Sequence, residues 1–266
     1  MVPTLNAVAL TTGVRMPYFE QGNRSGTPVI FLHGYPDSWF AVSTMLPYLP
    51  LSLRVIAPTQ RGWGEADRPA SGYTMDDYAS DVLALMDAIS IEKAVVVGHS
   101  MGSLIAQRVA IRQPERVQGL MLIGSATTFS NHPDLHEMLP YLEAMTDPVD
   151  PEFIREFQGG MFVHDPEPGL LDALIAESQK APAMTWQSAM QGIMAFDSSA
   201  ELSSITAPTV IVWGDQDGLC SRTQQEALLA GIPNSRLSVY RGEGHVVNWE
   251  RPEAVANELV DLATRL

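Results

Sequence analysis

The pentapeptide Gly98-His99-Ser100-Met101-Gly102 stands between the apolar run Ala94-Val95-Val96-Val97 and a segment in which Leu104, Ile105, Val109 and Ile111 recur at helical spacing. A chain that passes from a buried strand into a helix within so few residues must turn sharply. The small residues at 98 and 102 let strand and helix pass close together, and Ser100 is left on the turn with its hydroxyl exposed at the helix N-terminus. That is the setting a nucleophilic serine requires. The plainer reading is a serine between glycines in a surface turn, and the rest of the chain decides between the two.

The flanking elements alternate. Leu5 to Ala9 and Val14 to Phe19 read as strands joined by a hairpin at Thr11-Thr12-Gly13. Pro28 to Leu32 is continuously apolar and reads as a buried central strand. Further strands are expected at Leu53 to Ala57, Lys93 to Val97, Val117 to Ile123, Thr209 to Trp213 and Arg236 to Tyr240. Helices are expected at Ala41 to Leu49, Met75 to Ile89, Ser100 to Arg112, Ser221 to Leu229 and Pro252 to Thr264. Strands that alternate with helices predict an α/β fold with a mostly parallel, eight-stranded sheet covered on both faces.

This rhythm breaks between Thr127 and Ala200. The stretch holds twelve Asp or Glu against only Arg155 and Lys180, together with 6 of the 13 methionines and repeated prolines. Leu170 to Gln179 and Ala183 to Met194 keep helical spacing. An inserted helical cap over residues 127–205 is predicted, dividing a core of residues 1–126 and 206–266. Most of its apolar residues must pack within the cap. The unbranched methionines nevertheless point to a deformable apolar pocket, with Met138, Tyr141, Met161, Met184, Trp186, Met190, Met194 and Phe196 as candidate lining.

With 266 residues, 45% of them hydrophobic, and one cysteine, the chain can bury a large core without a disulfide or structural metal. The formal charge of −15 disfavours nucleic acid and anionic membranes as partners. No basic N-terminal region leads into an apolar stretch and cleavage site, and no run approaches the ~20 apolar residues of a membrane span. A cytoplasmic protein, monomeric or homo-oligomeric, is therefore expected. His132 and His136 have metal-ligand spacing, but Pro133 disrupts a helix beginning there and no third ligand follows, so neither a metal nor another cofactor is expected.

Two further residues fall after strand ends. Asp217 follows the run Val210 to Gln216, and His245 follows Leu237 to Gly244. In a parallel sheet the loops beyond the carboxyl ends of the strands gather on one edge, so Ser100, Asp217 and His245 can converge across large sequence gaps. An imidazole at about 3 Å can take the serine proton, and a carboxylate on its other nitrogen sets its tautomer and stabilises the imidazolium. Asp215 competes with Asp217 for the acid and could instead brace the loop. A histidine just after Gly242 and Gly244 sits in a loop rather than in a packed element, which separates His245 from an ordinary buried histidine.

His33-Gly34-Tyr35-Pro36, Arg61-Gly62-Trp63-Gly64, Gly98 to Gly102, Gly214-Asp215-Gln216-Asp217 and Gly244-His245, in this order, resemble the α/β-hydrolase superfamily across essentially the whole chain. The resemblance is nearest to bacterial carboxylesterases and the cofactor-free haloperoxidase or perhydrolase group. His33 to Trp39 adds some likeness to epoxide hydrolases. It implies the order nucleophile, acid, histidine for Ser100, Asp217 and His245, and an oxyanion hole made by the backbone N–H groups of Tyr35 and Met101. Those N–H groups also lie where such donors are useful, in the loop after a central strand and at a helix start. His33, His99 and Arg61 are read as supporting residues. Epoxide hydrolases and haloalkane dehalogenases use an aspartate where this chain has Ser100, and an alkyl ether to serine could not be released by water attacking a carbonyl. Hydrolysis of small to medium carboxylic esters with apolar acyl groups is therefore expected. A lactonase, a carbon–carbon bond hydrolase, perhydrolysis as a side activity and a non-catalytic ligand-binding protein remain the alternatives.

Overall fold

The computed structural model describes residues 4–266, so the first three residues of the expected core segment lie outside the described residues. Eight strands form one sheet: β1 (Thr4–Ala9), β2 (Arg15–Gly22), β3 (Thr27–Leu32), β4 (Leu53–Pro58), β5 (Ala94–His99), β6 (Val117–Ile123), β7 (Thr209–Gly214) and β8 (Ser235–Tyr240). Their spatial order is β1-β2-β4-β3-β5-β6-β7-β8. β2 runs antiparallel to both β1 and β4, and every other pairing is parallel. The expected hairpin joins β1 to β2, with the Gly13 N–H donating to Leu10 O at 3.0 Å.

Successive side chains of a strand point to opposite faces, and this period of two splits the core. Ile30 and Leu32 of β3 join Val96, Leu120 and Leu122 on one face. α1 (Met75–Ala88) and α2 (Met101–Arg112) cover it through Val82, Leu85, Met86, Leu104, Ile105 and Val109. Val29 and Phe31 face the other way with Val95, Val97, Met121 and Ile123. There they meet Val255, Leu259 and Leu262 of α9 (Pro252–Thr264), the last helix of the chain. β5 is buried along its whole length, which is why it reads as an unbroken apolar run.

Between β6 and β7 the chain leaves the sheet and builds a helical cap from α3 (Pro133–Glu143), α4 (Pro151–Gly159), α5 (Leu170–Ser178) and α6 (Ala183–Ala195). Its two ends meet at a bridge between Thr128 and Asp197, where the Ser198 hydroxyl also donates to Gln107 Oε1 of α2 at 2.7 Å. Two helices here correct the sequence expectation. Pro133 starts α3 instead of disrupting it, and Pro151 likewise starts α4. A first-turn N–H has no intrahelical acceptor, so proline loses nothing at that position. The expected helix from Ala41 to Leu49 is instead two 3-10 turns, Trp39–Val42 and Leu46–Tyr48. Pro47 lacks the N–H that a continuous α-helix would need there. Two short helices remain, α7 (Arg222–Gly231) after β7 and α8 (Val247–Glu250) after β8.

Candidate active site

The turn at Ser100 is as tight as the sequence requires. Ser100 has φ 53° and ψ −122°, a conformation uncommon for a residue with a side chain. A Cβ on Gly98 would lie 2.2 Å from Gly102 O, and one on Gly102 would lie 2.2 Å from Leu32 O. Neither glycine can be replaced without parting α2 from β3 and β5. The Ser100 N–H donates to Ile123 O at 2.9 Å, and the Ser103 hydroxyl donates to Ser100 O at 2.6 Å, so the strained residue is pinned from both sides.

Loops after β5, β7 and β8 bring three side chains into a line. His245 Nε2 lies 2.9 Å from Ser100 Oγ, and His245 Nδ1 lies 2.9 Å from Asp217 Oδ2. With the Nδ1 proton toward the carboxylate, Nε2 is left to accept the serine proton. Asp217 Oδ1 accepts the N–H groups of Leu219 and Cys220 at 2.8 and 2.9 Å. Burial alone would raise the Asp217 carboxyl, but His245 and these two N–H donors outweigh it and hold the group below the usual carboxylate range. Asp215 points elsewhere: its Oδ1 accepts the Gly242 N–H at 2.7 Å and braces the loop that leads to His245.

Two further histidines near the serine, His33 and His99, are held neutral by burial. His33 donates from Nδ1 to Gly34 O at 2.8 Å and accepts the Gln60 N–H on Nε2 at 3.0 Å, while desolvation lowers it to about 4. His99 packs against the rings of His245 and Trp249, and burial lowers it to about 3. Arg61 forms a two-pronged pair with buried Asp81, both contacts at 2.6 Å, and braces the loop that contains Trp63.

Tyr35 and Met101 flank Ser100. The Tyr35 ring is wedged edge-on against Trp63, Phe157 and Trp186, and its hydroxyl donates to Trp186 O at 3.1 Å. Among the described residues, neither the Tyr35 nor the Met101 backbone N–H donates to a protein acceptor. Both N–H groups are thus spare at the serine.

Ser100 and His245 open into a narrow cavity of about 40 Å³. Its apolar wall includes Met101, Phe129, Leu135, Phe157, Met161, Met190 and Ile193. A wider cleft of about 330 Å³ adjoins it and shares Leu135, Phe157, Met161, Leu219 and His245. Of the pocket residues expected from sequence, Met161 and Met190 line the cavity and Met138 lines the cleft. The remaining five line neither. Tyr141 is exposed and rests on Phe153, and fully buried Trp186 stands behind Tyr35. Met184, Met194 and Phe196 pack into the core beneath the cap. Met184, Trp186 and Met194 miss the cavity because α6 turns only part of its apolar face toward the serine.

Sequence reasoning missed three contributors. Asp37 lines the cavity at 2% exposure, and Gln158 of α4 donates to its Oδ1 at 3.0 Å. Burial pushes the Asp37 carboxyl up to about 7. Glu250 accepts the N–H groups of Val163 and His164 from the cap at 2.7 and 3.2 Å, and that of Gly244 at 2.8 Å. It clips the cap to the loop of His245. Asp37 did lie in the quoted run from His33 to Trp39, but only the placement of α4 over that loop reveals its partner.

Asp217, Cys220 and His245 could present three ligand atoms within 4.8 Å of one another. Their hydrogen bonds already occupy them: Asp217 and His245 face each other, and Cys220 donates to Gly124 O at 3.2 Å. Burial also pushes the Cys220 thiol well above its usual range, away from the thiolate a metal would need. His136 Nε2 bonds to Ser130 O at 2.7 Å rather than facing a shared ligand.

An α/β sheet with an inserted cap, a strained serine elbow and a Ser–His–Asp relay at its carboxyl edge define a serine hydrolase. The chain belongs to the Alpha/beta hydrolase family, whose sequence profile matches residues 29–258. It is 28% identical to a non-heme chloroperoxidase of Streptomyces lividans, over 96% of this chain and 98% of that protein. It is 27% identical to a 2-hydroxymuconate semialdehyde hydrolase of Pseudomonas sp. strain CF600, over 96% of this chain and 91% of that protein. In structure it is similar to an esterase from Exiguobacterium antarcticum, with a TM-score of 0.88 at 23% identity, covering 98% of this chain and 100% of the other. At that identity the structural likeness speaks for the fold alone.

Proposed function

We propose that this protein is a serine carboxylesterase that works through an acyl-enzyme on Ser100. The observation that carries the reading is the unbroken relay from Asp217 through His245 to Ser100, with 2.9 Å at each step and the serine open to an apolar cavity. Ser100 Oγ attacks the ester carbonyl while His245 Nε2 takes its proton. The spare N–H groups of Tyr35 and Met101 stabilise the oxyanion, a contribution of a few kcal/mol in such sites, roughly 3–4. His245 then returns the proton to the departing alcohol, and a water deprotonated by the same ring releases the acid.

The narrow cavity suits a short apolar portion of the ester, and the adjoining cleft leaves room for a longer one. We take residues 127–205 as the cap that frames both, and we place the protein in the cytoplasm on its single buried cysteine and acidic composition. Perhydrolysis is the second reading, since hydrogen peroxide in place of water would use the same acyl-enzyme; the likeness to a non-heme chloroperoxidase favours it. Among the described residues no arginine or lysine lines the cavity to hold a keto acid, so carbon–carbon hydrolysis has less support.

Ser100→Ala should lower ester turnover by at least ~10³-fold in a folded protein, with a residual rate left by the oxyanion donors and binding. A phosphonate should add to Ser100 in the parent enzyme, as read by intact mass and peptide mapping. Labelling at another residue, or full turnover in the variant, would refute the assignment.

A further inference from the structure

Beyond Ser100, His245 and the buried His99 that packs on it, the polar residues lining the cavity are Tyr35, whose hydroxyl is spent on Trp186 O, and the pair Asp37 and Gln158. Asp37 has no cation within salt-bridge distance among the described residues. Its Oδ1 takes one hydrogen bond, from Gln158 Nε2, and that nitrogen also donates to Ser178 Oγ at 2.9 Å. Oδ2 takes none among the described residues. A carboxyl left half-partnered in an apolar cavity is costly, and the Ser178–Gln158 tie from α5 and α4 keeps it there. It also stands two residues from Tyr35, the spare N–H beside the serine, so whatever it binds is close to the scissile carbonyl.

We propose that Asp37, held by Gln158, is a specificity-determining residue of the pocket, and that the preferred ester carries a hydroxyl near its scissile carbonyl. The proposal rests on the esterase reading. A hydroxyl can donate to Oδ2 when the carboxyl is ionised and accept from the Oδ2 O–H when it is neutral, because Oδ1 is already taken by Gln158. The cavity has no second acidic group to favour a cationic substrate, and burial keeps the Asp37 carboxyl substantially protonated near neutrality, which suits a neutral partner. A site built to hydrogen-bond a substrate hydroxyl discriminates strongly against the analogue that lacks it, because its own polar group is then left unpaired.

The test compares p-nitrophenyl 3-hydroxybutyrate with p-nitrophenyl butyrate, and hydroxyethyl butyrate with propyl butyrate, so that a hydroxyl on the acyl side is separated from one on the alcohol side. The parent enzyme should favour the hydroxylated member of one pair by about tenfold or more in kcat/KM. Asp37→Leu should bring that ratio to about one, and Asp37→Asn, which keeps a carbonyl acceptor, should retain part of it. If Asp37→Leu does not fold, Gln158→Leu frees the carboxyl from its tether and should lower the same ratio. Equal rates within both pairs, a ratio unchanged in the variants, or a stronger preference for a matching amino ester overturns the proposal. If none of the esters is hydrolysed by enzyme whose Ser100 a phosphonate labels, the esterase reading itself fails, whereas hydrolysis without hydroxyl preference removes only the role of Asp37.

Discussion

Asp215 and Asp217 leave the same strand end, yet their carboxyls meet different partners: Asp217 faces His245 at 2.9 Å, and Asp215 accepts the Gly242 N–H at 2.7 Å. Their substitutions should therefore separate. Asp217→Asn removes the charge that stabilises the imidazolium and can turn the ring to the wrong tautomer, so kcat should fall by about 10³–10⁴. Asp215→Asn keeps an oxygen for Gly242 and should change kcat by less than about fivefold, the scale of losing a modest hydrogen-bond increment. Steady-state kinetics at matched folded fractions distinguishes them, and a larger loss at 215 would reverse the assignment. Ser100 and His245 were legible in the sequence because each follows a strand end, Ser100 between Gly98 and Gly102 and His245 just after Gly242 and Gly244. Asp217 was read as the acid with Asp215 as its competitor, and the 2.9 Å contact to His245 bears that reading out.

At the scale of elements, Glu250 joins the cap to the catalytic loop, beside His164 of the cap, whose Nε2 bonds to Gly242 O at 3.0 Å. Glu250 of α8 satisfies N–H groups on both the 163–164 segment and Gly244, the residue before His245. Glu250→Ala should leave those donors without their acceptor, at about 1–3 kcal/mol of stability, and should lower kcat by about tenfold as the His245 loop loses its anchor. Thermal unfolding measured beside kcat is the check. A lower Tm with unchanged kcat would mean that the clip is structural only. The cap helices themselves were half visible in the sequence. α5 and α6 announced their period, whereas α3 and α4 begin at prolines that look like punctuation until the N-terminal position of each is known.

For the whole molecule, buried ionisable groups set opposing slopes of stability with pH. His33 and His99 stay neutral when folded down to about 4 and 3, but are protonated in the unfolded chain below about 6.5; stability is lost as pH falls through that window. Asp37 acts in the other direction. It keeps its proton in the folded chain up to about 7 and releases it near 4 when unfolded, so between those values its share of stability falls as pH rises. Asp37→Asn removes only this second slope. Between pH 5 and 7 the variant should gain about 2 kcal/mol relative to the parent, at about 1.4 kcal/mol per unit less the partial titration near 7. Urea unfolding at several pH values measures it, and parallel curves for the two proteins would mean that Asp37 is already ionised in the fold.

What the sequence determined by itself is whatever depends on near neighbours. The unbroken apolar runs of the central strands, the helical period of α1, α2 and α9, and the glycines around Ser100 each act within a few residues, so the α/β core and its nucleophile could be read directly. The tertiary structure alone decided which side chains face the serine. Met190 lines the cavity while Trp186, four residues earlier on the same helix, lies behind Tyr35. Asp37 and Gln158 meet across 121 residues. An apolar residue in a cap serves equally well as packing or as pocket wall, and a lone acid in a loop reads the same with or without a partner. The choice falls to the rotation and placement of helices against the sheet, which many distant contacts set together.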